Sequence, residues 1–294
     1  MDLITKRPLL FLLAGVVLIS FSPIFVKASQ ASALSAGFYR NLFGGLLLLP
    51  LVLIRKDSWQ RGKWTILLPL LAGVLFFVDL WGWHMGIGYI GPGLATLIGN
   101  FQVFFVTLFG VVFLGERLTV RFLLAIPLAL GGVFFIGQSG HADDGHLLAG
   151  VLLCLLAAMC YAVFLMINRK AQSHKNRLSA EMNLLYITLS SGILFGLAMG
   201  ATGESFALES SRMFLFLAAY GFIPHFFGWI IIIRCLPLVK ATVAGMMLLL
   251  QPVLTFAWEV ILFGKQFSPS QLAGCALAIV AIYMGTAKSK VKQE

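Results

Sequence analysis

VDLWGWHMGIGYIGPGLATLIGN, residues 78–100, sets an aspartate between a run of Leu, Phe and Val and a pair of tryptophans. What an acid does in so apolar a setting depends on the solvent around it, and the rest of the chain identifies that solvent. Of 294 residues, 60% are hydrophobic and 11% charged, less than half the roughly 25% charge content of an ordinary soluble domain. That much apolar surface cannot be hidden in a water-soluble core. Apolar stretches of spanning length recur near 8–27, 33–54, 64–86, 91–113, 119–137, 147–168, 182–200, 213–234, 240–263 and 269–286. As helices rising 1.5 Å per residue, each can cross roughly 30 Å of hydrocarbon. Closed barrels are the other spanning solution, but these stretches are continuously apolar and about twice as long as a tilted barrel strand. The expected fold class is all-α integral membrane, with ten transmembrane helices and almost no extramembrane domain.

The net charge of +10 has no soluble domain on which to form a nucleic-acid face, and no nucleic-acid partner is expected. Its distribution carries topological information instead. Lys6, Arg7, Arg55, Lys56, Arg61, Lys63, Arg117, Arg121, Arg169, Lys170, Lys175, Arg177, Arg234, Lys240, Lys288, Lys290 and Lys292 fall in the tails and alternate loops of a ten-helix path. Only Lys27, Arg212 and Lys265 fall on the other side, and Arg40 lies inside a span. The positive-inside rule then puts both termini in the cytoplasm. The first 33 residues could also be read as a signal peptide, basic then apolar then small; the run is long enough to span, however, and removing it would leave an odd helix count. Cys154, Cys160, Cys235 and Cys275 lie in or at the ends of spans without CxxC spacing, and read as small packing residues.

Sliding the chain against itself by 146 residues sets DLWGW (79–83) on HFFGW (225–229), Ala95-Thr96 on Ala241-Thr242 and Gly99 on Gly245. After three inserted residues, FLGERLT (113–119) meets LFGKQFS (262–268), while Gly15-Val16 and Gly150-Val151 open corresponding spans. Residues 1–140 and 147–287 thus read as two five-helix repeats, followed by a basic cytoplasmic tail at 288–294. Five is odd, so the second copy enters the membrane inverted. Inverted repeats are characteristic of alternating-access carriers, with the substrate near the midplane between the halves.

GFYRNLFGGLLLL (37–49), ATLIGN (95–100), FLGERLT, AAMCYAVF (157–164) and, in the second half, Gly264, Gln271 and Gly274 carry a resemblance, over nearly the whole length of the sequence, to the EamA-type branch of the drug/metabolite transporter superfamily. The resemblance implies ten helices in a 5+5 inverted arrangement around a central cavity, moving amino acids or other small metabolites, usually outward, across a bacterial inner membrane. Lys265 departs from the pattern, standing where the family often has an acidic residue.

Ionisable side chains inside spans cost roughly 2.5–3.5 kcal/mol each on insertion scales, so they face a cavity or a partner. Here they are Arg40, Asp79, His84, His225 and Glu259. Arg40 and Asp79 fall at one depth on neighbouring spans and could pair, either as a substrate carboxylate site with its balancing acid or as a permanent salt bridge. Asp79 and Trp83 share a helix face, as do His225 and Trp229. Inversion would put Asp79 and His225 on opposite sides of the midplane, as proton coupling would use them, unless they are unrelated polar residues near helix breaks. Gln251, Thr255 and Glu259 form one polar stripe, and Thr96, Asn100 and Thr107 a matching one, suited to lining a cavity or to interhelical hydrogen bonds. The candidate substrate-binding residues are therefore Arg40, Asp79, Trp83, Asn100, His225, Trp229, Gln251, Thr255 and Glu259. The proton-coupling candidates are Asp79 and His225. Gly192, Gly196 and Gly200 give a close-packing face, either internal or for a homodimer.

An ATP-driven pump is disfavoured because there is no GxxxxGK[ST] loop. An enzyme would need a metal-binding or nucleophile–base cluster; HADDGH (141–146) reads as a solvated turn. A channel would show a pore ring or repeated filter. The expected function is secondary transport of an amino acid or similar amphipathic zwitterion or anion, by export or else uptake or exchange, without cofactor or metal. The partners are a small-molecule substrate, the lipid bilayer and a proton or counter-substrate.

Overall fold

The computed structural model describes residues 3–54, 63–136, 147–173, 177–264, 266 and 268–286. Among them every regular element is a helix. The first half comprises α1 (Leu3–Lys6), α2 (Pro8–Ile19), α3 (Ser22–Ser29), α4 (Ala33–Ile54), α5 (Lys63–Gly99), α6 (Gln102–Leu114) and α7 (Val120–Ile136). The second comprises α8 (Leu147–Ser173), α9 (Ala180–Thr202), α10 (Ser211–Tyr220), a π-helical segment (Gly221–Gly228), α11 (Trp229–Cys235), α12 (Ala241–Leu248), α13 (Leu250–Phe263) and α14 (Pro269–Thr286). Seven stretches among the described residues are long and apolar enough to cross a membrane, and α6, α7 and α14 are shorter apolar helices. The HADDGH turn and Lys265 lie outside the described residues.

Breaks in the helices follow the prolines. Pro23 has no N–H for the carbonyl of Ile19, and the first span is interrupted between α2 and α3, where Ser20 Oγ donates to the Val17 carbonyl at 2.6 Å. Pro224 likewise cannot bond the Tyr220 carbonyl, and the chain widens there into the π turn Gly221–Gly228. The reversal expected between the spans 64–86 and 91–113 takes an unexpected form. Helical hydrogen bonding is continuous from Lys63 to Gly99, yet a Cβ on Gly99 would lie 3.3 Å from the Trp83 ring. Sixteen residues of straight helix would separate them by roughly 24 Å at 1.5 Å per residue. The chain therefore doubles back between them without leaving helical hydrogen bonding.

Apolar side chains face outward as well as inward. On α4, Leu42, Leu46, Leu49 and Leu53 form an exposed stripe, as do Leu189, Ile193 and Leu197 on α9, at the spacing of one helix face. The opposite faces of these two helices pack together through small residues. Gly192 sits against Asn41 and Gly196 against Phe38, at 3.1 and 3.2 Å from where a Cβ would stand, while Gly200 faces open space. The first GxxxG spacing is thus used internally. Ser191 Oγ donates to Asn41 Oδ1 at 2.7 Å, and Asn41 Nδ2 to the Gly37 carbonyl at 2.8 Å.

The helix pairing follows a pattern. α5 packs on α8 and α10–α11 on α2–α3, while α4 pairs with α9, α7 with α14 and α6 with α12. Under the 146-residue shift the first two pairings exchange, and the α4–α9 and α7–α14 pairings map onto themselves. Gly115 and Gly264, matched by the repeat, end α6 and α13 with left-handed φ values of 64° and 61°.

Candidate functional site

Arg40, on α4, is the centre of the buried polar network. It is 3% exposed. Its Nε donates to His225 Nδ1 at 3.0 Å and its Nη1 to the Tyr220 hydroxyl at 3.1 Å. The guanidinium lies over the rings of Phe76 and Tyr220, 4.7 and 5.0 Å from their centroids. Hydrogen bonds to a charged group contribute about 1.5–3 kcal/mol each, and desolvated cation–π contacts about 2. Together these offset the roughly 2.5–3.5 kcal/mol cost of an intramembrane cation without any carboxylate.

His225 reaches Arg40 because of the π turn. Gly221 and Gly44 let that turn approach α4 closely. A Cβ on Gly221 would lie 2.6 Å from Phe43 Cβ and 2.8 Å from Gly44 N, and a Cβ on Gly44 would overlap the His225 ring. The histidine is fully buried, and its partners define its tautomer. Arginine only donates, so Nδ1 accepts and Nε2 carries the hydrogen. Nε2 lies 2.7 Å from Thr188 Oγ1, which in turn donates to the Leu184 carbonyl at 2.7 Å. The relay from Arg40 through His225 and Thr188 to the backbone is complete.

Asp79 is not ion-paired with Arg40, contrary to the pairing expected from their common depth. Among the described residues, its carboxylate has no hydrogen bond and no cation within 4.0 Å. It lies deep in the fold, within electrostatic reach of Arg40, Cys160 and Tyr161, yet retains intermediate exposure. Tyr161 belongs to an aromatic cluster with Phe76, Phe164 and Trp229; Phe164 stands 5.0 Å from both Phe76 and Trp229, centroid to centroid. The structure thus brings Arg40, Asp79, His225 and Trp229 into one region, with a cation and an anion held apart.

The other candidates lie differently. Trp83 is half-buried, edge-on to His84 at 5.0 Å. Asn100 is buried at the α5–α6 junction and Gln251 is half-buried. The stripe on α13 makes interhelical bonds: Thr255 Oγ1 donates to the Ser20 carbonyl at 2.9 Å, and Trp258 Nε1 to Ser20 Oγ at 2.8 Å. Glu259 pairs with Lys27 at 3.1 Å. These bonds tie α13 to the break between α2 and α3, not to the Arg40 network. His84 Nδ1 donates to the Leu80 carbonyl at 2.6 Å. Of the matching stripe, Thr107 is buried and its hydroxyl has no hydrogen-bond partner among the described residues. No group of three or more potential metal ligands occurs among the described residues.

Tyr220 and Thr188 were missed by sequence reasoning. Tyr220 precedes His225 by five residues, a spacing that shares a face only where the helix widens to π. Thr188 lies on another helix and carries no motif.

A model of the EamA-like transporter family matches residues 6–138 and again 148–286. An uncharacterised transporter of Bacillus subtilis is 28% identical over 86% of this chain and 82% of its own length. A "probable amino-acid metabolite efflux pump" of Salmonella typhimurium is 27% identical over 68% of this chain and 69% of its own. A crystal structure superposes with a TM-score of 0.81 over 94% of this chain and 97% of that one, at 17% identity, a likeness of fold.

Proposed function

The chain belongs to the EamA-like transporter family, and from that premise we propose that this multi-pass membrane transporter is a secondary carrier exporting a small amphipathic zwitterion, an amino acid or close analogue, across the bacterial inner membrane. One observation carries the substrate class: buried Arg40 and half-buried Asp79 lie within electrostatic reach of each other and do not pair. A zwitterion completes both, its carboxylate meeting the guanidinium and its ammonium the Asp79 carboxylate. The half-buried ring of Tyr161 suits its apolar body and the ammonium alike. The name of the Salmonella typhimurium relative supports both amino-acid chemistry and outward direction.

Alternating access of two inverted repeats, 1–140 and 147–287, crossing ten times with both termini cytoplasmic, is the mechanism we favour. It is supported by the exchange of helix partners between the halves, by the repeat-matched glycine caps and by the two family matches. Asp79 is the proton-coupling candidate that the geometry favours, because His225 is engaged at both ring nitrogens.

The test is counterflow. Purified protein in liposomes preloaded with an unlabelled amino acid should accumulate the same labelled amino acid transiently and saturably. Flux that never saturates would indicate a channel; conversion of the solute to a new compound would indicate an enzyme.

A further inference from the structure

Among the described residues two ion pairs join the two halves, one at each end of the bundle, and they differ in construction. Lys27, in α3, reaches Glu259, near the end of α13, at 3.1 Å. Arg169, near the end of α8, reaches Glu116, just past α6, at 3.8 Å. The repeat matches the first span to α8 and α6 to α13, so the two pairs join corresponding helices of the inverted halves. By the positive-inside reading the Glu116 pair lies at the cytoplasmic end and the Lys27 pair at the outer end.

The outer pair is open to solvent, with side chains 57% and 20% exposed. The inner pair is 18% and 7% exposed, and its carboxylate does more. The left-handed cap at Gly115 turns Glu116 back across the interface between the halves, where Oε1 accepts from Ala241 N at 2.7 Å and Oε2 from Thr242 N at 3.0 Å. These are the first two amides of α12, whose N-cap residue Lys240 offers them no side chain. A carboxylate from one half therefore caps a helix of the other. Arg169 secures the same junction by donating from Nη1 to the carbonyls of Leu236, at 2.9 Å, and Val239. The outer end has no equivalent in sequence, for the position matching Glu116 is Lys265.

We infer that Glu116 is the latch of the cytoplasmic gate, and that its lack of an acidic counterpart at Lys265 biases the resting carrier toward opening on the outer face. Opening inward requires the α6–α7 turn to leave α12, which strips two amides and Arg169 of their carboxylate. Opening outward breaks the exposed Lys27–Glu259 pair and bonds such as Ser32 to Glu204, Tyr39 to the Phe206 carbonyl and Arg212 to the Ala28 carbonyl, but among the described residues it strips no helix amide of a carboxylate from the other half. This inference rests on the carrier reading above and concerns its regulation.

Its test reads accessibility without substrate. A small cavity behind the latch is lined by Val106, Leu165, Met166, Arg169, Leu236 and Ala244, among others. Ala244→Cys, in a background lacking the native cysteines, reports on it when a membrane-impermeant maleimide is applied to the cytoplasmic face of membrane vesicles. Adding Glu116→Ala should speed labelling by about tenfold or more, Glu116→Gln by less, and Lys27→Ala by less than about twofold, as a shift between two pre-existing states predicts. Cys154, buried where α5 packs on α8, is the control when retained as the single cysteine, and its labelling should not rise. Unchanged labelling at position 244, or a rise shared by Cys154 or matched by Lys27→Ala, would overturn the latch. If Glu116→Ala does not fold, Glu116→Gln decides alone: it leaves an acceptor for one amide only, and equal labelling to the parent refutes the inference. Absence of counterflow in the unmodified protein would instead overturn the carrier reading.

Discussion

At Arg40 the chain offsets a buried cation with neutral acceptors and ring faces, which leaves its charge free to attract an anion. Arg40→Lys keeps the charge but gathers its donors on one nitrogen, which does not span His225 Nδ1 and the Tyr220 hydroxyl as the guanidinium fork does; counterflow should fall by more than about tenfold while the protein stays folded. Asp79→Asn should abolish transport in correctly inserted protein, and full transport by that variant would remove Asp79 from the mechanism. Thr188→Val strands the His225 Nε2–H, and burying an unpaired donor costs about 1–3 kcal/mol, readable as a lower unfolding temperature in detergent. His225→Gln offers Arg40 an oxygen acceptor without a titrating group. It should keep both transport and its pH profile between about pH 5 and 8, whereas loss of the pH dependence would make His225 a proton carrier. Sequence alone exposed Arg40, Asp79 and His225, because charge in a greasy span is conspicuous. It misassigned the partners, since helix depth says nothing about which face meets which, and a five-residue relation such as Tyr220 to His225 exists only once a proline has widened the turn.

At the scale of the element, the prolines and glycines decide how closely helices can cross. Gly221→Ala would push a methyl into Phe43 Cβ and the Gly44 amide, and overpacking of this kind costs typically about 1–3 kcal/mol. We expect a lower unfolding temperature together with weaker substrate binding, because the π turn that carries His225 must retreat from α4. A change in only one of the two would separate packing from positioning. Spans were readable from apolar length, and the break at Pro23 and the irregularity at Pro224 from missing amides. The roles of the polar stripes were not, because a hydroxyl can line a cavity or satisfy a neighbouring carbonyl at the same spacing, and Thr255 does the latter with Ser20.

For the whole molecule, lysines and arginines concentrated in the tails and alternate loops predict that a reporter active only in the cytoplasm will work when fused at either terminus, whereas signal with a periplasmic reporter would reverse the topology. The helices also set a thickness. α9, capped at its two ends by Ser179 and Gly203, carries its apolar run over 184–202, a stretch roughly 28 Å long at 1.5 Å per residue, and turns Leu189, Ile193 and Leu197 outward. Acyl chains beside it that are shorter or longer must stretch, compress or tilt the helix, at a modest cost per ångström of mismatch. The carrier should in consequence turn over fastest at an intermediate acyl length, and more slowly in vesicles of either shorter-chain or longer-chain phosphatidylcholine.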